Sequence, residues 1–403
     1  MLLKTSRKTG GKEVKSQSLV DEYVAKEMSR RQMVQSAMIT SVGAWLGATG
    51  LAACTTKTII KEEPAPGSGE QVDTDGDGIP DSPAPDPNNP NDPNKPKHLV
   101  GLGYDESDRA AALAAALEQT IGLGMIKAGQ SVYLRVNANS GDPYPYSTSP
   151  DTLTQVIGML KDIGVEDIRI GDRSFWGDTG TAQNLVRNGI TPAAKKLGIA
   201  TKVYDDAVDW TTIDSGLHPN WNGAIRLPTD VLEADHHIIL SCVKTHFISQ
   251  VTMSLKIALG LVHATDRSRT GNLKTHDTNV LYKQIAQINK AFTPSLVIQD
   301  GYKAVISGGP TVNDRPQGAP ATIKGVGDPK IFIVSTDRIA ADVMGIAVLK
   351  KFSPTYEAVT KSAAFSNPQI KAAIALDLGI KSKDALDVAG PTVENLDDLL
   401  AGV

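Results

Sequence analysis

The sequence predicts an α/β protein with a mostly parallel sheet and helices on both of its faces. From His98 onward, short apolar runs typical of strands alternate with longer Ala- and Leu-rich or amphipathic runs typical of helices, and such alternation favours parallel pairing. Polar residues follow most of the apolar runs. Hydrophobic residues make up 40% of the chain and aromatic residues only 5%, so we expect a large, aliphatic core.

The composition divides the 403 residues into three parts: 1–54, 55–97 and 98–403. The first part is a basic leader with an arginine pair, Arg30 and Arg31, followed by an apolar run over 37–53 that ends at Cys54. The pair resembles the signal of the bacterial twin-arginine pathway, and Leu-Ala-Ala-Cys at 51–54 resembles a lipoprotein box. These resemblances imply acylation of Cys54, export and lipid anchoring at the bacterial cell envelope, on the periplasmic face of a membrane or at the outer membrane. The alternative is an amphipathic helix with a chance arginine pair.

Residues 55–97 are rich in Pro, Asp, Asn and Gly and form a linker that cannot bury enough apolar surface to fold alone. Within it, Asp73, Asp75, Asp77 and Asp81 occupy positions 1, 3, 5 and 9 of a loop with Gly78 at position 6. This spacing of oxygen ligands suits Ca²⁺, although Ala84 stands where a full EF-hand carries Glu. The alternative is a solvated acidic linker.

The residue pattern of the third part, 98–403, predicts strands and helices in alternation. We expect strands at 98–104, 131–136, 167–170, 201–204, 237–241, 295–298 and 331–334, and helices at 109–123, 151–163, 181–197 and 249–263. Ser149 or Asp151 can cap the second helix, and Gly164 can end it.

Polar residues stand at the carboxyl ends of six predicted strands: Asn137, Asp172, Asp205, Lys244, Asp300 and Asp337. Ligands of parallel sheets bind outside these ends, so we expect Asn137, Asp172, the adjacent Arg173 and Asp300 to share a cleft. The alternative is helix capping, which for Asp337 is at least as good an interpretation.

The densest group of candidate site residues lies at 241–276: Lys244, His246, Lys256, Arg267, Arg269 and His276. A helix over 249–263 would place Ser249, Thr252, Lys256, Gly260 and His263 on one face. Lysine and arginine can clamp an anion, and a desolvated lysine can act as a base. His246 and His276 can transfer protons or bind a transition metal. The alternative is an amphipathic surface helix with structural histidines.

Several function classes are disfavoured. After the leader, 33 Lys and Arg face 41 Asp and Glu, which argues against nucleic-acid binding. Cys54 and Cys242 are too few for an iron–sulfur cluster from this chain, and Cys242 is expected to be a small buried hydrophobe. No glycine loop fits a nucleotide fold, and no Gly-x-Ser-x-Gly elbow is present.

Taken together, the stretches of the third part resemble the bacterial family called domain of unknown function 362. The matching stretches are 132–137, 148–164, 234–235, 244–246 with 251–252 and Lys256, 300–301, 308–310, and 335–337 with 341–342. The resemblance implies no general activity. The ferredoxin-like cysteines of some relatives are missing, so redox roles do not transfer. A distant similarity to the nickel-pincer lactate racemase fold implies two α/β lobes around a cleft.

We therefore expect a lipoprotein whose α/β domain binds a small carboxylate or phosphate, with or without a metal. Two alternatives stay open. One is a metal- or His/Lys-dependent enzyme, racemase-like or hydrolytic, acting on a small carboxylate. The other is a structural protein of the cell surface.

Overall fold

The computed structural model describes residues 98–174, 180–204, 208–213, 220–268, 273–275, 277–313, 325–353, 356–390 and 396–403. These residues fall in one compact unit. Several predicted residues lie outside the described part of the chain: Cys54, Asp73, Asp75, Asp77, Asp81, Asp205, Arg269 and His276.

The described strands are β1 (Val100–Tyr104), β2 (Val132–Val136), β3 (Ile168–Asp172), β4 (Thr201–Val203), β5 (Trp210–Ile213), β6 (Ile225–Pro228), β7 (His236–His246), β8 (Gln250–Val251), β9 (Leu296–Val305), β10 (Val326–Gly327), β11 (Ile331–Ser335) and β12 (Val388–Ala389). Two of them, β7 and β9, extend well beyond the predicted strands. This difference matters for the site, because it moves the strand ends.

The described α-helices are α1 (Arg109–Glu118), α2 (Pro150–Ile163), α3 (Thr181–Arg187), α4 (Ile190–Lys196), α5 (Thr229–Leu232), α6 (Met253–Lys256), α7 (Ala264–Ser268), α8 (Thr278–Ile288), α9 (Arg338–Phe352), α10 (Glu357–Thr360), α11 (Pro368–Ile374) and α12 (Leu396–Ala401). The capping prediction for α2 is confirmed: the Ser149 side chain accepts from the backbone N–H of Asp151 and Thr152, and Gly164 ends the helix at φ 94°.

A ten-stranded sheet forms the centre of the unit, in the order β12-β1-β11-β9-β7-β2-β3-β4, with β10 on β9 and β8 on β7. The neighbours from β9 to β4 pair in parallel, whereas β11 runs antiparallel to both β9 and β1. The mostly parallel sheet is therefore confirmed. The expected division into two lobes is not, because one sheet runs continuously through the described unit.

Core side chains alternate between the two faces of the sheet. Ile238 and Leu240 join the cluster under α1 and α2, and Ile239 between them joins a cluster on the other face. Helix α9 covers that second face with Ile339, Val343 and other buried residues. Period-two alternation of this kind is what a sheet covered by helices on both faces requires.

Three predicted helices differ from the structure. The helix predicted over 109–123 ends at Glu118. The helix predicted over 181–197 is two helices, because Gly189 between them adopts φ 87°. The helix predicted over 249–263 is wrong: residues 250–251 pair with β7 as β8, α6 spans one turn, and a 3₁₀ turn follows over Ile257–Leu261. The single-face arrangement expected for Ser249 and His263 therefore does not form.

Among the described residues, no helix is both long enough and apolar enough to cross a bilayer.

Candidate functional site

A cleft opens at the carboxyl ends of three adjacent parallel strands, β7, β2 and β3. Its empty space, including the open solvent at its mouth, is about 640 Å³. Its lining includes five Lys or Arg residues, Arg135, Arg173, Lys244, Lys256 and Arg267, together with His246 and a single acidic residue, Asp172.

Lys244 enters the cleft from the end of β7. The register between β7 and β9 shifts between Cys242 and Lys244, which changes the direction of the strand at that point. The Lys244 side chain is fully buried, and its Nζ donates to the carbonyl oxygen of Tyr146 at 2.6 Å. The backbone carbonyl of Lys244 accepts from Thr252 N at 3.1 Å, which fixes the start of the segment that carries Lys256.

His246 presents a neutral ring to the cleft. Its Nδ1 accepts from the backbone N–H of Ile248 at 3.1 Å and of Ser249 at 3.4 Å. Burial, Lys256 and Lys244 hold the pKa of this imidazole well below its usual range. Since Nδ1 accepts, the ring proton belongs on Nε2, so His246 is suited to donate a hydrogen bond to a ligand.

Lys256 is placed by a buried carboxylate on helix α9. Asp342 accepts from Ser254 N at 2.8 Å, from Ser254 Oγ at 2.6 Å and from Leu255 N at 3.1 Å. Gln299 donates to the same carboxylate at 2.5 Å. Burial nevertheless raises the pKa of Asp342 to about 7. These bonds hold the single turn of α6, which ends at Lys256, directly after Leu255.

The ammonium group of Lys256 has an unusual environment. The residue is half-buried because it lines the cleft, but protein atoms surround the group, and this desolvation together with Lys244 lowers its pKa to about 7. No hydrogen bond or ion pair joins its Nζ to a described residue. Desolvation and a like charge both favour the neutral amine.

Arg135 and Asp172 form a buried pair at the ends of β2 and β3. Their Nη1 and Oδ1 atoms lie 2.9 Å apart, and both side chains are almost inaccessible. Asp172 also accepts from the backbone N–H of Ala138 at 2.8 Å and of Arg173 at 2.7 Å, and Arg135 donates to the carbonyl oxygen of Ile257. Sequence reasoning missed Arg135. An arginine inside an otherwise apolar strand, two residues before Asn137, is the signal that could have identified it.

The remaining predicted residues of the cleft have different surroundings. Asn137 is buried, and its Nδ2 donates to the Tyr146 carbonyl at 3.1 Å. Arg267 is 5% exposed on α7, and Arg173 is half-buried at the end of β3. Seven of the predicted site residues therefore line one cleft: Asn137, Asp172, Arg173, Lys244, His246, Lys256 and Arg267.

Asp300 is not among them. Because β9 continues to Val305, Asp300 lies in mid-strand opposite Phe332 and Cys242. Its carboxylate accepts from Arg109, from Thr152 Oγ1 at 2.6 Å and from Tyr144 Oη at 2.5 Å. The predicted ligand role of Asp300 finds no support in this geometry, since its hydrogen-bonding capacity is used inside the protein.

Two structural roles considered from the sequence, helix capping by Asp337 and burial of Cys242, are observed. Asp337 caps α9 by accepting from Ile339 N and Ala340 N, both at 2.8 Å. Cys242 is 1% exposed, its thiol donates to the Ser147 carbonyl at 3.2 Å, and burial raises its pKa. Both side chains therefore serve the fold.

His263 lies apart from the other predicted residues of its segment. Its ring meets Trp210 edge to face at 4.4 Å between centroids, and Nδ1 accepts from Thr265 N at 3.1 Å. Among the described residues, no group of three or more His, Cys, Asp or Glu is arranged to hold a metal ion. The transition metal stays a prediction, because His276 lies outside the described part.

Comparison with known proteins gives one family and one relative. A family model with the description "Domain of unknown function (DUF362)" matches residues 132–347. The chain is also 26% identical over 219 residues to a thylakoid-associated protein of Synechocystis sp., across 54% of this chain and 65% of that protein. The chain thus spans somewhat less than two thirds of that relative.

Proposed function

The chain belongs to the domain of unknown function 362 family, and we propose that its cleft binds a small anionic ligand, a carboxylate or a phosphate. The match extends from β2 into α9 and includes every cleft residue named above. Because the family's description states no activity, the proposal rests on the site.

One observation supports the proposal most strongly: among the described residues that line the cleft, five are cationic and one is acidic. The single carboxylate, Asp172, is already used by Arg135 and two backbone N–H groups. Positive charges gathered in a partly desolvated cleft repel one another. A bound anion would offset this repulsion.

The hydrogen-bonding groups favour the same class of ligand. Lysine and arginine are donors only, and His246 is expected to donate from Nε2 because Nδ1 accepts. Charge-assisted donors bind carboxylate and phosphate more strongly than neutral ligands. The apolar side chains of Ile257, Leu259 and Leu281 also line the cleft and would contact an uncharged part of the ligand.

Thermal unfolding in the presence of phosphate, sulfate or acetate tests the proposal. A ligand of the native state raises the unfolding temperature by mass action, so one or more of these anions should stabilise the full chain at matched ionic strength, relative to chloride. Lys361→Met is the matched control, because Lys361 is exposed and its Nζ pairs with Glu357, four residues earlier in the chain. Equal unfolding temperatures in all anions would contradict the proposal.

A second candidate function is catalysis on a small carboxylate. The specific observation in its favour is Lys256, a lysine with a pKa of about 7, which is the range suited to an acid or base at neutral pH. Turnover of a carboxylate substrate that is lost in Lys256→Met but not in Lys361→Met would support it.

We also propose export and lipid anchoring through Cys54, with Ca²⁺ bound by the loop that starts at Asp73. The name of the Synechocystis relative describes that protein as thylakoid-associated, which is compatible with a membrane-related location here. Cys54→Ala should release the chain from membranes in fractionated cells. Asp75→Ala should abolish calorimetric Ca²⁺ binding by a peptide covering 68–97, and a flat titration of the unaltered peptide would contradict the calcium proposal.

A further inference from the structure

Lys256 differs from the other cations of the cleft in its hydrogen-bond and ion-pair partners. Lys244 Nζ is fixed on the Tyr146 carbonyl, and Arg135 is paired with Asp172. Within the described residues Lys256 Nζ has neither an acceptor nor a counter-ion. An amine without partners is free to approach a bound molecule.

The walls around Lys256 are suited to an uncharged amine. Apolar residues of the cleft lining are Ile248, Ile257, Leu259, Leu273 and Leu281. Lys244, a like charge, acts with burial to lower the pKa of Lys256. A lysine desolvated in an apolar pocket beside a second cation is a recurring way to activate a nucleophilic amine.

Resting on the proposed anion-binding function, we propose that Lys256 is a nucleophilic amine that forms an imine with a small 2-oxo carboxylic acid bound in the cleft. In such an acid the carboxylate provides the anion that the cationic side chains attract. The adjacent carbonyl carbon provides the electrophile. The apolar lining accommodates the remaining substituent.

The step balances without any oxidant or reductant. The neutral Lys256 amine attacks the carbonyl carbon, a C–N bond forms, and the π electrons move to oxygen. One proton passes from nitrogen to this oxygen and gives the carbinolamine. The C–O bond then breaks as the oxygen takes a second proton from solvent and leaves as water, while the nitrogen lone pair closes the protonated C=N bond.

The pH dependence of this step follows from the charges around Lys256. In the described part of the chain, the titratable and charged side chains that share its cleft are Lys244, His246, Arg267, Arg173, Arg135 and Asp172. All are cationic or neutral except Asp172, which is paired. With the pKa of Lys256 at about 7, the neutral amine is abundant at pH 7, whereas an exposed lysine with an ordinary pKa near 10.4 is almost entirely protonated.

Borohydride trapping tests the proposal on the full chain with pyruvate as the probe. Reduction converts an imine into a stable secondary amine, which peptide mass mapping locates on one lysine. At pH 7 we expect the adduct on Lys256 to exceed that on exposed Lys361 by about tenfold or more, because the cleft holds the bound acid beside the Lys256 amine. The yield at Lys256 should rise through pH 6 to 8 and then level off, whereas an amine with the ordinary lysine pKa of about 10.4 keeps gaining adduct toward pH 10.

Lys256→Arg should lose the adduct, and Lys361→Arg should keep it. Because mapping on the unaltered chain already gives the site, the test does not depend on the folding of a variant. An adduct spread evenly over exposed lysines, or none at all, overturns the imine proposal. Phosphate or acetate stabilisation of the unaltered chain is measured in parallel, so that absent trapping with intact anion binding rejects the imine alone, and loss of both rejects the anion site as well.

Discussion

Two regions of this molecule place cationic side chains next to strands of the same, mostly parallel sheet. They differ in how these cations are paired with carboxylates. In the first, which we call the Asp300 node, Arg109, Tyr144 and Thr152 all bond to one carboxylate. In the second, the cleft at β7, β2 and β3, five cations face one carboxylate that is already paired. Both regions contain arginine and aspartate, so residue type alone does not separate a structural cluster from a candidate binding site. The arrangement of the side chains does.

The Asp300 node should be costly to break. Arg109→Ala would leave Asp300, 3% exposed, without its cation, and removing one partner of a buried pair destabilises by about 3–5 kcal/mol. Denaturant unfolding measures the loss. The double variant Arg109→Ala with Asp300→Ala is the control, because it removes both charges and should recover part of the stability. A change below about 1 kcal/mol in Arg109→Ala would remove the contrast between the two regions.

Removing a cation from the cleft should have the opposite result: anion binding is lost and the stability of the fold is kept. Lys256→Met keeps the length of the side chain and removes the charge, so anion affinity should fall by about 10- to 100-fold, as expected for one charge-assisted hydrogen bond of about 1.5–3 kcal/mol. Calorimetry with the stabilising anion measures the affinity. If Lys256→Met binds as well as Lys361→Met, Lys256 is not part of the anion site.

Asp342 links structural pairing to the cleft. This hydrogen-bonded carboxylate holds the helix that carries Lys256, whose Nζ has no partner among the described residues. Asp342→Asn places an amide N–H against a backbone or side-chain donor, and we expect a loss of about 1–3 kcal/mol of stability. The raised pKa of about 7 gives a sign to the pH dependence. In the folded chain the carboxyl is protonated between about pH 4 and 7, where the unfolded chain is ionised. Its contribution to stability is therefore complete below pH 4 and is lost as pH rises through 7.

Asp342→Asn should flatten this part of the stability profile, as measured by urea unfolding from pH 4 to 8. A slope that is identical in the variant and in the unaltered chain would show that another group titrates there.

The pH dependence of anion binding is the smallest expected effect. An anion favours protonated Lys256, whose pKa without ligand is about 7. Affinity should thus be constant below pH 7 and fall by up to about tenfold, or 1.4 kcal/mol, for each pH unit above it until the pKa of the complex is reached. Lys256→Met should bind weakly at all pH values, without this slope. Affinity that rises between pH 7 and 8 would contradict the assignment of Lys256.

Much of the fold followed from local patterns. The α2 caps at Ser149 and Gly164, the aliphatic strands and their parallel pairing were predictable because they depend on neighbouring residues and on period. The structure of 249–263 was not predictable in this way. The apolar spacing of this segment fits one long helix, but it also fits the observed short strand, the single helical turn held by Asp342 and the 3₁₀ turn. Asp342 lies more than 80 residues further along the chain.

Polar side chains at the strand ends and a concentration of cations around 244–267 could be predicted from the amino-acid sequence. Which of these side chains meet depends on how the chain folds. The tertiary structure extended β9 past Asp300 and gave that carboxylate to Arg109, it brought Arg135 from β2 to neutralise Asp172, and it left Lys256 Nζ without a partner among the residues that the structure describes. The physical reason is that local patterns fix the type of an element, whereas the pairing of a buried charge depends on neighbours that are distant in the chain.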